Sequence, residues 1–277
     1  MTIDAHFHAW QIARGDYGWL TPALAPIYRD VSVADWQAQA APEGVSGGVL
    51  VQAAPTEAET QFLLQQADHH DAVLGVVGWV DCLHADAPAR IHRLARHAKL
   101  KGLRPMLQDI ADPAWILQTA VQPALEAMAG RGLVFDALVK SAHLPHLLTL
   151  AKRHPALKIV IDHGAKPAIA TGEWEPWAQG MARLARETSA CCKLSGLLTE
   201  AAPGASAGDL RPWVDHLLGT FGLGRLLWGS DWPVLELRGT YSGWRQMSSH
   251  LLAGLSDAER QAVFGANAAR EYGLKTV

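Results

Sequence analysis

His6 and His8 lie one residue apart in IDAHFHAW, residues 3–10, at the end of a short apolar run. Residues i and i+2 of a strand face the same side, so this spacing lets two imidazoles aim at one point. Such a pair can hold a metal, polarise a substrate, or fill a barrel end as satisfied polar core. A third group narrows the choice. Asp231, in WGSDWP, follows the apolar LLWGS, where a strand opens into a loop. A buried carboxylate beside imidazoles must be paired, hydrogen-bonded, protonated or metal-bound. Ionised, it is a general base near substrate. The blander alternative is an N-cap for the helix that follows.

Eight apolar runs could carry these groups: Ile3–His8, Gly48–Ala53, Leu74–Val80, Lys101–Leu107, Leu133–Val139, Lys158–Asp162, Cys191–Leu197 and Leu226–Ser230. Most lack strict alternation, which suits parallel strands buried on both faces. Between them lie amphipathic stretches with helix signals; Thr56-x-x-Glu59 and Ser256-x-x-Glu259 read as capping boxes. Alternating strand and helix in this number predicts an α/β fold, a (β/α)8 TIM-type barrel forming a single domain over residues 1–277. A doubly wound open sheet competes, but no Gly-rich phosphate fingerprint follows any strand. Residues 199–212, TEAAPGASAGDLRP, are the most loop-like stretch and suit either a lid or a solvated connection.

In such barrels chemistry sits at the C-terminal ends of the strands. The runs end, in order, in His6 and His8, Gln52, Trp79 and Asp81, Arg104, Lys140, Asp162 and His163, Ser195, and finally Ser230, Asp231 and Trp232. Polar and ionisable groups therefore gather at one end. Arg104 suits a carbonyl or hydroxyl contact, with a structural ion pair as its alternative. Gln52, Trp79, Asp81, Trp19 and Trp232 suit substrate contacts, by hydrogen bonding or by stacking.

Composition excludes several classes. Of 277 residues 49% are apolar and 18% charged, with net charge −3, so no basic field advertises nucleic acid. No apolar run reaches transmembrane length and no signal-peptide pattern opens the chain, so neither a membrane span nor secretion is expected. Cys82, Cys191 and Cys192 make no disulfide framework and read as core filler in a cytoplasmic protein. Trp174 and Trp177 suit a subunit interface or the barrel wall equally, which leaves a homo-oligomer open.

The His-x-His pair on the first strand, with an Asp closing the last, resembles the amidohydrolase superfamily. The order of IDAHFHAW, GDYGWL, VLVQAAPTEAET, GLRPMLQDIADPAWI, GLVFDALV, IDHGAKP, CKLSGLLTEA, WGSDWPV and VFGANAAREYGL resembles its branch of sugar-acid lactonases, nearest the L-fuconolactone hydrolases. That resemblance implies a site built from His6, His8, His163 and Asp231 and a sugar-lactone substrate. It also implies Asp231 as general base and three imidazoles that polarise the carbonyl directly or through one divalent metal, zinc first. Two-metal members use a carboxylated lysine on strand 4 and a histidine on strand 5. Here those runs offer Arg104 and Pro105, then Val139 and Lys140, so the bridging ligand of a two-metal centre is missing. A 2-pyrone-4,6-dicarboxylate lactonase or a metal-dependent decarboxylase of the same superfamily are the alternatives. A barrel that binds without turnover is a third, opposed by the intact Asp231. Lys166, in HGAKP, suits either a substrate role or an ion pair at the barrel rim.

Overall fold

Eight short parallel strands pair strictly in chain order: β1 Thr2–Phe7, β2 Val45–Val51, β3 Val73–Gly78, β4 Leu100–Leu103, β5 Val134–Ala137, β6 Lys158–Ile161, β7 Cys191–Leu194 and β8 Leu226–Trp228. The computed structural model describes residues 1–275. The ring closes at its mouth: His8 N–H donates to the Trp232 carbonyl and Asp231 N–H to the His6 carbonyl, both at 2.8 Å. The expected (β/α)8 barrel is thus borne out, and its seam joins the two segments that carry the candidate chemistry. The helices are α1 Val33–Ala40, α2 Glu57–His69, α3 Ala87–Leu94, α4 Gln122–Gly130, α5 Leu144–Arg153, α6 Glu175–Glu187, α7 Leu197–Glu200, α8 Ala207–Phe221, α9 Tyr241–Leu251, α10 Asp257–Gln261 and α11 Asn267–Glu271. Among the described residues no helix is long and apolar enough to cross a membrane.

Two apolar layers result. Ile3, Ala5, Val49, Val51, Val77, Val134, Val160, Cys191 and Leu227 fill the barrel, and a larger cluster packs the strands against the helices. Several strands are shorter than their apolar runs. Leu107, Leu138 and Val139 are buried but lie beyond the ladder, because the loops at the mouth pack their own apolar residues against the core. Trp174 and Trp177 of the α6 region pack in tilted and edge-on contacts against Trp213 and His216 of α8, so they serve a helix–helix contact. The loop-like stretch is also shorter than its composition suggests. Residues 207–212 are the first turns of α8, started by a Ser206–Asp209 capping box. All three cysteines are free and buried, as expected of core filler.

Alternation along β1 breaks where the site begins. Ile3 and Ala5 point into the barrel, whereas Asp4 reaches outward to Trp36 of α1 and Tyr241 of α9. A register irregularity between Asp4 and Phe7 then turns His6 inward one residue after Ala5. Asp4, fully buried, accepts from the His6 and Ser230 N–H groups, the Ser230 hydroxyl, Trp36 Nε1 and the Tyr241 hydroxyl. Burial raises its pKa above the ordinary value, and the bonds from Ser230, Trp36 and His6 offset only part of that rise. Asp4 thereby clamps the turn that presents Asp231.

The two expected capping boxes differ. Ser256 and Glu259 form one at α10, while Thr56 caps α2 through the Glu59 N–H but Glu59 turns away. Its fully buried carboxyl accepts from the Ala53 N–H at 2.8 Å, and burial pushes its pKa up to about 8, the Ala53 bond offsetting only part. The unfolded chain releases this proton near pH 4.3, about the ordinary glutamate value. Stability from Glu59 is therefore full below that pH and is lost as pH rises towards 8. Glu59→Gln is expected to flatten this decline, read by urea unfolding at about pH 5 and about pH 8. An unchanged slope would show that Glu59 is ionised in the fold.

Candidate active site

Four side chains converge at the seam. His6 Nε2, His8 Nε2 and His163 Nε2 stand 3.6, 3.3 and 3.7 Å from Asp231 Oδ1, and the first two are 3.3 Å apart. His8, His163 and Asp231 line a cavity of about 360 Å³, while His6 lies beneath them with no exposure. The backbone is forced locally. Asp231 has φ +58°, and His163, Gly164, Ala165 and Lys166 wind through one left-handed turn, with φ between 49° and 60°. Each left-handed non-glycine residue costs about 1–2 kcal/mol, and such strain collects where geometry serves a function. Trp177 Nε1 donates to the Gly164 carbonyl at 2.6 Å and helps hold the turn.

Each imidazole is oriented from behind. His8 Nδ1 sits 2.7 Å from the Val51 carbonyl, which only accepts, so that nitrogen carries the proton and Nε2 keeps its lone pair. His163 Nδ1 meets the Ser195 hydroxyl at 2.9 Å. Gly196, at φ +63°, leaves room for the same ring: a Cβ there would fall 2.6 Å from it. His6 Nδ1 lies 3.1 Å from Lys193 Nζ and 3.4 Å from Asp162 Oδ1.

Lys193 heads a charge network that sequence reading missed. Fully buried, it bonds Asp136 at 2.5 Å and Asp162 at 2.9 Å; Arg104 completes the chain 3.2 Å from Asp162, and Tyr272 caps Asp136 from below. The available signal was a lysine and an aspartate inside the apolar runs CCKL and VFDA, two opposite charges at inward strand positions. Burial raises Asp162, but Lys193, His6 and Arg104 outweigh it and hold the carboxyl well below its usual range. Burial and then Lys193 push His6 well down, and burial lowers His163 to about 4, so both are neutral imidazoles near pH 7. Asp231, raised by burial but lowered more by His163, His8 and His6, stays ionised.

This balance fits a bound cation. Lys193 and Arg104 match Asp136 and Asp162, whereas no Lys or Arg among the described residues reaches Asp231. An ionised carboxylate faces imidazole nitrogens, the donor set of zinc, and ligands about 2.0–2.1 Å from one tetrahedral ion stand about 3.4 Å apart. The separations of 3.6 and 3.7 Å from Asp231 suit His6 and His163, and the ligand atoms of these three residues all lie within 4.8 Å of one another; His8 stands outside that group, although its Nε2 is 3.3 Å from Asp231.

The expected substrate contacts divide. Arg104 and Trp19 line the cavity, with Trp19 Nε1 fixed to the Ala53 carbonyl at 2.7 Å. Lys166 lines it too, paired with Glu200 at 3.2 Å, so its rim ion pair is present. Trp79 and Asp81 line a neighbouring chamber. Gln52 and Trp232, offered as substrate contacts, line neither. Gln52 Nε2 donates to the Arg104 carbonyl within the wall, and the buried Trp232 indole donates outward to Glu236.

Similarity to known proteins covers the same span. A family model described as amidohydrolase matches residues 3–274. An L-fucono-1,5-lactonase of Burkholderia ambifaria is 46% identical, over 98% of this chain and 94% of that protein. One from Burkholderia multivorans is 34% identical over 99% and 96%. An amidohydrolase from Burkholderia multivorans, whose crystal structure holds zinc, superposes with TM-score 0.93 at 33% identity, covering 99% and 100% of the two chains.

Proposed function

Because this chain belongs to the amidohydrolase family, we propose that it is a lactone hydrolase that opens a neutral sugar lactone of the L-fucono-1,5-lactone kind to its acid. The observation that carries this reading is Asp231 Oδ1 at the wall of a cavity of about 360 Å³, with imidazole nitrogens at 3.3–3.7 Å. Asp231 takes a proton from water as the water oxygen attacks the lactone carbonyl. Negative charge grows on the carbonyl oxygen, and Arg104, a permanent cation in the cavity wall, is placed to stabilise it. Asp231 then returns its proton to the departing ring oxygen. His6, His8, His163 and Asp231 would hold one zinc ion, which when bound supplies Lewis-acid polarisation.

Charge argues for a neutral substrate. A dianionic pyrone needs free cations on two carboxylates. Here Arg104, shared between Asp162 and the carbonyl oxygen, is one cation against two carboxylates, Lys166 is tied to Glu200, and Asp109, Glu200 and Asp231 also line the cavity. A pH-indicator assay on 1,4- and 1,5-aldonolactones tests the reading, with 2-pyrone-4,6-dicarboxylate and a dihydroxybenzoate as controls. Acid release from neutral lactones and no CO2 release are expected. Turnover of the pyrone or benzoate without turnover of any neutral lactone overturns it.

Zinc titration is expected to saturate at one equivalent per chain and to weaken at least tenfold in His8→Ala, read by calorimetry. Unchanged binding would place the ion elsewhere. Gly196→Ala, which pushes a methyl into the His163 ring, is expected to lower kcat about 10–100-fold while the fold persists. Steady-state kinetics beside circular dichroism checks it.

A further inference from the structure

The catalytic cavity has a neighbour of about 530 Å³ that shares Trp19, Met106 and Asp109 with it. Two further indoles, Trp79 and Trp115, line this chamber, together with the carboxylates of Asp16 and Asp81. The walls are built rather than loose. Trp19 is held by the Ala53 carbonyl, and the Trp79 backbone exchanges bonds of 2.7 and 2.8 Å with the Thr60 hydroxyl. Asp16 Oδ2 takes Arg14 and the Thr56 hydroxyl, while its buried Oδ1 has no protein donor.

We propose that this chamber is a second sugar subsite, one that takes a neutral glycosyl group carried on the lactone ring, so that lactones of disaccharide acids are also substrates. The inference rests on the lactone-hydrolase reading of the catalytic cavity. Indole faces cover the C–H faces of a pyranose, and carboxylate oxygens accept from its hydroxyls. A purely hydrocarbon occupant would bring no hydrogen-bond donor to Asp81 and Asp109. An anionic occupant would meet Asp81 and Asp109, neither of which has a Lys or Arg partner among the described residues. Continuity through Trp19 and Asp109 makes one extended ligand the natural occupant, with its lactone ring at Asp231 and its glycosyl group among the indoles.

The test compares initial rates on L-fucono-1,5-lactone and D-glucono-1,5-lactone with those on cellobiono- and lactobiono-1,5-lactone. Wild type, Trp115→Ala and Ile110→Trp are used; the last narrows the chamber without removing an indole. Expected for wild type is kcat/KM on at least one disaccharide lactone within about tenfold of that on the monosaccharide lactones. Each variant is expected to lower the disaccharide value about tenfold or more and leave the monosaccharide values unchanged. Monosaccharide turnover without disaccharide turnover overturns the subsite and spares the lactonase. Equal losses on both substrates overturn it too. Failure of wild type on every lactone overturns the lactonase reading itself.

Discussion

Asp231→Asn is expected to lower kcat about 10³-fold or more, with KM changed by less than about threefold, since positioned acid–base groups contribute about 10²–10⁴. The substitution leaves the backbone of the turn undisturbed. Asp231 sits at φ +58°, a conformation asparagine also tolerates, and its N–H bond to the His6 carbonyl does not involve the side chain. The amide keeps the shape and one acceptor but cannot take the water proton. Turnover should therefore collapse while thermal stability changes little. Near-wild-type kcat would remove Asp231 from the role of base. A KM that rises in step with the fall in kcat/KM would assign it to substrate binding alone.

Lys193→Met is expected to damage stability first and activity with it. Its ammonium is fully buried among Asp136, Asp162 and His6, at 2.5, 2.9 and 3.1 Å. Removing one partner of a buried pair costs about 3–5 kcal/mol, because the remaining charges stay in place without compensation. In a chain of this size that is a fall in Tm of roughly 10 °C. Adding Asp136→Asn removes one stranded carboxylate and is expected to restore part of the Tm. Activity should not return, because nothing replaces the ammonium that holds the His6 ring. A melting curve for each variant and the double variant forms the cycle. A Tm loss below about 1 °C in Lys193→Met would mean that Asp136 and Asp162 are neutral in the fold.

Much of the site was legible in the sequence because strand ends in a barrel share one height. The i, i+2 histidines, the aspartate closing the eighth strand and His163 after the sixth were all readable, and the structure brings them together. The likeness of the ordered motifs to the amidohydrolases was readable too, and the match over residues 3–274 bears it out. What was not legible is direction and partnership. A strand-end position gives height in the barrel but not whether the side chain faces the cavity, so Gln52 and Trp232 look equivalent to Arg104 until the chain is folded. The break in alternation after Asp4 inverts the facing expected from period two, and nothing in IDAHFH marks it. Lys193 finds Asp136 57 positions away, a pairing that only barrel closure creates. The start of α8 was obscured by composition: Gly, Ala and Pro suggested a loop, although Ser206 and Asp209 already carried the cap.

The reading stands most directly on the rate at which purified wild-type protein releases acid from L-fucono-1,5-lactone, set against the spontaneous rate and against Asp231→Asn. Release far above the spontaneous rate in wild type, falling to near it in the variant, is the expected result. Equal rates with and without the wild-type protein, or in wild type and variant, would contradict a lactone hydrolase whose base is Asp231.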